Sequence, residues 1–297
     1  PAGLAKANGR IEVERVDVAA KYAGRVAEIL VKEGDFVEKG SVIARLDVTE
    51  LKAQLAAASA NVLRGDASIK RATAELALRE AEHKLSELEL QRAATLVHRK
   101  VTSEAELDRR NAQHEVAEAT MLAAKAVIGD GKGAKAAAEA QVAQLKATIA
   151  EMTLKAPVAG RIEYKLVQPG TVIGAGARVV SILDLSDAYM TIFLPTSQSG
   201  RVALGSDARI ILDASPTTII PATVSFIAGE AQFTPKVVET ANEREKLMYR
   251  VKLRIDPKLL ETYRSYVKAG LTGDAYVKIS RDAKWPKELH PRLPDAD

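Results

Sequence analysis

Between residues 50 and 152, apolar and small side chains return every three or four positions. Leu51, Leu55, Ala58, Val62, Gly65, Ile69, Ala72 and Leu76 lie on one line. Leu107, Arg110, His114, Ala117, Met121, Ala124 and Ile128 repeat it, and Ala138, Val142, Leu145, Ile149 and Met152 carry it on. So narrow a seam predicts a coiled coil rather than a broad globular face. Alanine supplies 27 of these 103 residues, which favours helix and lets partner helices approach closely. The pattern reverses near Lys100, where Ser103 precedes Glu106 at capping-box spacing. The expected element is an antiparallel hairpin whose arms, about 45 residues each, reach roughly 70 Å at 1.5 Å per residue. Gly65-Asp66 and Gly129-Asp130-Gly131-Lys132-Gly133 lie about equally far from the reversal and read as a joint in both arms.

The segments flanking the hairpin repeat each other. Ala23-Gly24-Arg25-Val26, Val31, Gly34, Val37, Gly40 and Ile43 return 136 residues later as Ala159-Gly160-Arg161-Ile162, Val167, Gly170, Ile173, Gly176 and Val179. Each half predicts short alternating strands around glycine-containing turns, with Gly24, Gly34, Gly40, Gly160, Gly170 and Gly176 as structural turn glycines. After Asp187 come five apolar runs: 188–194, 208–212, 222–228, 247–255 and 274–279. They predict a small antiparallel barrel, since closure removes exposed edges. Residues 11–18 add a strand, residues 197–202 and 257–263 read as short helices, and the proline-containing tail reads as irregular. After Pro1 no proline occurs until Pro157, consistent with long helix in the first half and strands and turns in the second.

Composition removes several classes of function. There is no cysteine, which excludes disulfides, thiolate catalysis and zinc–sulfur sites. The four histidines show no metal-ligand spacing, and no cofactor is implied. Net charge is +4, but residues 50–152 hold 15 basic and 15 acidic residues and no basic stripe interleaves with aromatics, so a nucleic-acid footprint is missing. No apolar run is long enough to span a bilayer. The glycine-rich segment 129–133 lacks the Lys-Ser/Thr ending of a phosphate loop.

A half-domain split by a long hairpin and followed by a barrel resembles the HlyD-type periplasmic adaptor (membrane fusion protein) family of tripartite exporters. The resemblance covers nearly the whole chain. It is carried by the lipoyl-like halves 23–47 and 155–184, including Leu154-Lys155-Ala156-Pro157-Val158-Ala159-Gly160. Phe233-Thr234-Pro235-Lys236-Val237-Val238-Glu239-Thr240 with Tyr249-Arg250-Val251 is similar to the branch working with ABC-type exporters, and Lys268–Ala275 to the family's final barrel turn.

The implied fold class is α+β, elongated and multi-domain, with a coiled-coil hairpin inserted in a split lipoyl/biotinyl-like barrel-sandwich domain and followed by a β-barrel. The expected domains are the sandwich at 16–49 and 153–185, the hairpin at 50–152, the barrel at 7–15 and 186–281, and an irregular tail at 282–297.

The resemblance implies a non-catalytic subunit joining an inner-membrane transporter, ABC type favoured, to a TolC-like outer-membrane channel, as a homo-oligomeric ring of six. It places the chain in the periplasm of a Gram-negative bacterium. The opening at Pro1 reads as a processed chain whose inner-membrane anchor lay ahead of it.

Adaptors that meet such channels carry Arg, Leu and Ser at a fixed spacing on the hairpin tip, and Arg92, Leu96 and Ser103 keep it. Leu96 fills an apolar notch in that reading, while Arg92 and Ser103 hydrogen-bond to exposed groups of the channel. In the plainer reading Ser103 caps a helix, Leu96 closes the seam and Arg92 is solvated. Gln168, before Pro169-Gly170, is either a constriction in a ring lumen or an ordinary solvated turn. The loop Phe233, Thr234, Pro235 and Lys236 is either a transporter or neighbour contact or a local lid. Two other functions compete. One is an envelope scaffold or tether without transport. The other is a biotin or lipoate carrier, which lacks its lysine hairpin between the two halves.

Overall fold

A computed structural model describes residues 3–230, 247–264, 266–280 and 282–293. Its contacts separate Asp47–Met152 from a unit made of Pro1–Leu46 and Thr153–Asp297.

The first of these is a helical hairpin of α1 (Thr49–His98) and α2 (Glu104–Glu151). The sequence seam is the contact line: every residue named for it is buried or half-buried. Asp66–Lys135, Ile69–Gly131, Ser86–His114 and Glu89–Arg110 hold one antiparallel register along it. The expected joint is absent, because both helices run unbroken through their glycines. Two of those glycines lie in the contact instead. A Cβ on Gly131 would stand 3.1 Å from Ile69 Cγ1, and one on Gly65 3.1 Å from Lys135 Cβ. Tertiary contact outweighs the roughly 1 kcal/mol that glycine costs a helix. Toward the turn the seam becomes polar. The His83 and His114 rings lie 4.7 Å apart, and Ser86 Oγ is 3.3 Å from His114 Nδ1.

The second unit contains a closed six-stranded barrel. Its strands are β1 (Leu4–Ala19), β8 (Arg178–Pro195), β9 (Asp207–Leu212), β10 (Ser215–Ile227), β11 (Met248–Ile255) and β12 (Thr272–Lys278). The order is β1-β12-β9-β10-β11-β8, closed by pairing of β8 with β1. Alternation supplies the core: Ala188, Met190, Ile192 and Leu194 of β8 point inward with Ile210, Val251, Leu253 and Val277, all fully buried. Closure needs close approach at Gly9, where a Cβ would fall 2.4 Å from the Thr191 carbonyl oxygen.

Below the barrel, β1 and β8 continue as one ladder, through a bulge between Val13 and Glu14, into the barrel-sandwich part. Here β2 (Gly24–Ile29), β3 (Phe36–Val37) and β4 (Val42–Leu46) come from the first repeat half. They are joined by β5 (Thr153–Lys155), β6 (Gly160–Lys165) and β7 (Val172–Ile173). The halves exchange strands: β2 pairs with β7 and β3 with β6. The sequence repeat reappears as paired hydrogen bonds. Gly34 N–H donates to Ile162 O at 2.8 Å and Gly170 N–H to Val26 O at 2.7 Å; Gly40 N–H reaches Ala156 O as Gly176 N–H reaches Ala20 O. These four glycines adopt left-handed φ values of 81–92°, which glycine accepts without strain. Gly24 and Gly160 differ from them, since they open strands, and Gly160 is required by close approach to the Leu183 carbonyl.

Among the described residues two short helices complete the unit, α3 (Thr196–Ser199) and α4 (Pro257–Thr262), the second capped by the Asp256 carboxylate accepting from Lys258 N–H. The described part of the tail is docked rather than loose. Residues Lys287–Leu289 form one 3-10 turn, Arg292 bridges to Ile219, and the Trp285 ring lies 4.6 Å from the Arg209 guanidinium. The fold class is α+β, with the hairpin, barrel-sandwich and barrel that the sequence predicts.

Candidate functional site at the hairpin tip

Helix α1 ends in a double-hydrogen-bonded turn. Lys100 N–H donates to Val97 O at 2.8 Å and Val101 N–H to Leu96 O at 2.9 Å, the Schellman pattern. The pattern requires a left-handed residue at its centre, which here is Lys100 with φ 56°. Its longer hydrogen bond joins the backbones of two apolar residues, Leu96 and Val101, whose exposures are 41% and 69%. Helix α2 starts at the Ser103 cap, whose Oγ accepts from Glu106 N–H at 3.4 Å. The reciprocal half of the capping box is not used, because the Glu106 carboxylate binds Arg109 and Arg110.

Arg110 fastens the two helices just behind the turn. It reaches Glu106 at 2.9 Å along its own helix and Glu89 at 2.6 Å across the seam. The guanidinium of Arg109, then that of Arg110, holds the Glu106 carboxyl below its ordinary range. The seam at this level is made by buried Ala93 and half-buried Val97. Leu96 therefore lies beside the seam and does not close it. Arg92, one helical turn before Leu96, shares its face and is exposed. Ser103 is an exposed cap on the far side of the turn.

Arg92 and Leu96 thus share one helix face, and Ser103 belongs to the next helix start. Sequence reasoning missed Val101, whose proximity to Leu96 depends on the turn type, and Glu89, the cross-seam partner of Arg110. Arg110 itself already stood on the seam as a polar interruption, which was the available signal.

Gln168 is exposed at a Gln-Pro-Gly-Thr turn closed by Thr171 N–H donating to Gln168 O at 3.2 Å. Pro169 and left-handed Gly170 occupy the positions that a type II turn favours for them. Phe233, Thr234, Pro235 and Lys236 lie outside the described residues. Among the described residues no group of three or more metal-ligating side chains assembles, and no helix is long and apolar enough to cross a membrane.

The chain thus combines a two-helix hairpin with exposed apolar residues at its turn, a strand-exchanged barrel-sandwich that the hairpin interrupts in sequence, and a six-stranded barrel. The family model for the barrel-sandwich hybrid domain of RND membrane fusion proteins matches residues 14–185. The chain belongs to this family of membrane fusion proteins, the periplasmic adaptors of efflux systems. A UPF0194 membrane protein of Yersinia pseudotuberculosis serotype O:3 is 28% identical over 271 residues, covering 83% of each chain. A UPF0194 membrane protein of Acidithiobacillus ferridurans is 29% identical over 270 residues, covering 82% of this chain and 80% of that one. Two solved structures share the fold. MacA from Actinobacillus actinomycetemcomitans has TM-score 0.59 and 20% identity, over 94% of this chain and 79% of that one. The membrane fusion protein Spr0693 from Streptococcus pneumoniae R6 has TM-score 0.60 and 18% identity, over 92% of this chain and 98% of that one.

Proposed function

We propose that the chain is the adaptor of a tripartite exporter. Its hairpin tip engages a TolC-like outer-membrane channel through Arg92, Leu96 and Ser103, and its barrel works beside an inner-membrane transporter, ABC type favoured. The observation that carries this reading is the exposed Leu96–Val101 pair on a turn pinned by Arg110. An apolar pair left this exposed at the end of a hairpin is a candidate for cover by another surface. Leu96 supplies the apolar anchor, and Arg92 and Ser103 supply hydrogen bonds around it. One hairpin cannot enclose a conduit, so the function requires several copies, and a closed ring of six is the proposed assembly. Gln168, exposed on its turn, is proposed to face the lumen of that ring. No catalytic step is assigned to the chain, and nucleotide hydrolysis belongs to the transporter.

The test uses the absence of native cysteine. Thr95→Cys places a single thiol beside Leu96 for crosslinking in cells. An adduct with a TolC-type channel, lost with Arg92→Asp and with Leu96→Asp, is the expected result. Because Leu96 stands outside the seam, Leu96→Asp is expected to change the melting temperature by less than 3 °C, roughly the effect of a 1 kcal/mol change in a chain of this size. No adduct with any envelope channel refutes channel docking and leaves the scaffold reading. A large loss of stability in Leu96→Asp refutes the assignment of Leu96 as a docking residue.

A further inference from the structure

The barrel carries a cavity that the adaptor role does not use. It lies at the mouth where β9 turns into β10, has a volume of about 520 Å³ and is partly open to solvent. Ile11, Leu212, Ile220, Ile255 and Leu271 form much of its wall, and Leu259 of α4 contributes to its roof. Ala188 and Ala214 contribute only methyl groups to the lining.

The roof is fixed in place. Leu260 of α4 is buried in the barrel core, and the Arg264 guanidinium after the helix lies 4.7 Å from the Phe36 ring of β3. The polar side chains of the lining are Ser215, Thr218, Tyr263, Tyr266 and Lys268. Ser215 and Thr218 hydroxyls satisfy each other at 2.7 Å. Lys268, exposed, is the one charged residue among the described residues of the lining.

An apolar cavity of this size is in the range of small-ligand sites, roughly 300–1,000 Å³. Apolar cavities gain little from water and take apolar guests. A single cation at the opening selects the charge of whatever remains outside. We propose that this cavity binds the alkyl chain of an anionic amphiphile, with the head group held in solvent beside Lys268. The site is independent of the hairpin tip, and it gives the adaptor a contact with amphiphilic molecules separate from its protein partners.

The experiment is calorimetric titration of the full chain with octanoate, decanoate and dodecanoate below their micellar concentrations. Affinity is expected to rise about fourfold per added methylene, the factor that burial of one such group supplies. Ala214→Trp, at an exposed turn position, is expected to weaken dodecanoate binding at least tenfold with an unchanged melting curve. Lys268→Glu is expected to weaken dodecanoate at least threefold while leaving neutral dodecyl maltoside unaffected.

Flotation with phosphatidylglycerol vesicles distinguishes a membrane source of the amphiphile from a soluble one. Vesicle binding reduced by Ala214→Trp supports the proposal with lipid as the source. Dodecanoate binding reduced by Ala214→Trp, without vesicle binding, supports it with a free amphiphile. Absence of saturable binding, affinity independent of chain length, or binding unchanged by Ala214→Trp overturns it.

Discussion

Alanine at Gly129 and at Gly133 is expected to stabilise the hairpin by about 1 kcal/mol each, the usual gain for this exchange inside an exposed helix. A Cβ at either position meets nothing within 4 Å, so no packing term opposes the gain. Gly131 differs, because its Cβ would stand 3.1 Å from Ile69 Cγ1. That atom belongs to a β-branched side chain that is stiff at χ1 in a helix, so the few tenths of an ångström it must give consume most of the helical gain, leaving a net change near zero. Gly65 is the unfavourable case. Its Cβ would lie 3.1 Å from Lys135 Cβ and 3.3 Å from Lys135 Cα, and a backbone atom cannot rotate away. Lys135 is further tied to Asp66 at 2.9 Å. Overpacking of about 1–3 kcal/mol then exceeds the gain, and Gly65→Ala destabilises. The assay is urea unfolding of the full chain followed by helical circular dichroism, with the denaturant slope checked for constancy. Four equal increments, or a loss of stability at Gly129 and Gly133, would refute the account of these helices as continuous and packed only at Gly65 and Gly131.

Ser103→Ala is expected to cost about 0.5–1 kcal/mol in hairpin stability and Ser103→Asp to restore it, read by thermal melts, because the side chain caps α2. In the barrel-sandwich ladder, the Ser181 hydroxyl and then Arg178 hold the Asp17 carboxyl below its ordinary range. A lowered carboxylate contributes stability above its unfolded pKa and loses it as pH falls through the folded value. Acid unfolding is therefore expected to show a smaller pH dependence in Asp17→Asn, and an unchanged acid profile refutes the assignment.

The elements most legible in the sequence are those with strict periodicity. The 3.5-residue seam marks both helices and their contact line, and alternation at Ala188, Met190, Ile192 and Leu194 marks a barrel strand. The α1 seam is legible only as far as Leu76, because its continuation through Arg79, His83, Ser86 and Glu89 is polar and carries no apolar signal. Continuity of β1 and β8 between barrel and sandwich was equally hidden, since a strand changes neighbours at a bulge without changing its alternation. Trp285 on Arg209 is a contact between distant segments that no local pattern announces. At the tip, Ser103 was recognisable from its spacing to Glu106. The left-handed turn was not, because lysine rather than glycine occupies position 100.

The hairpin leaves the sandwich after β4 and returns at β5, and these two strands are hydrogen-bonded neighbours, with Val42 opposite Lys155 and Arg45 opposite Thr153. For a folding chain this turns a long insertion into a short connection. A disordered loop of that length carries a closure entropy that grows with the logarithm of its size. A zipped hairpin replaces it with two strand ends already held near each other, so the late, sequence-distant pairing of β4 with β5 starts from proximity. Arm length then becomes free to vary in matched steps. Removing one heptad from each arm at the same level is expected to leave refolding of the sandwich at its original rate. Removing a heptad from one arm alone breaks the register and is expected to slow it, a contrast that stopped-flow refolding measures directly. A chain organised this way can change its reach without redesigning the strands that hold it.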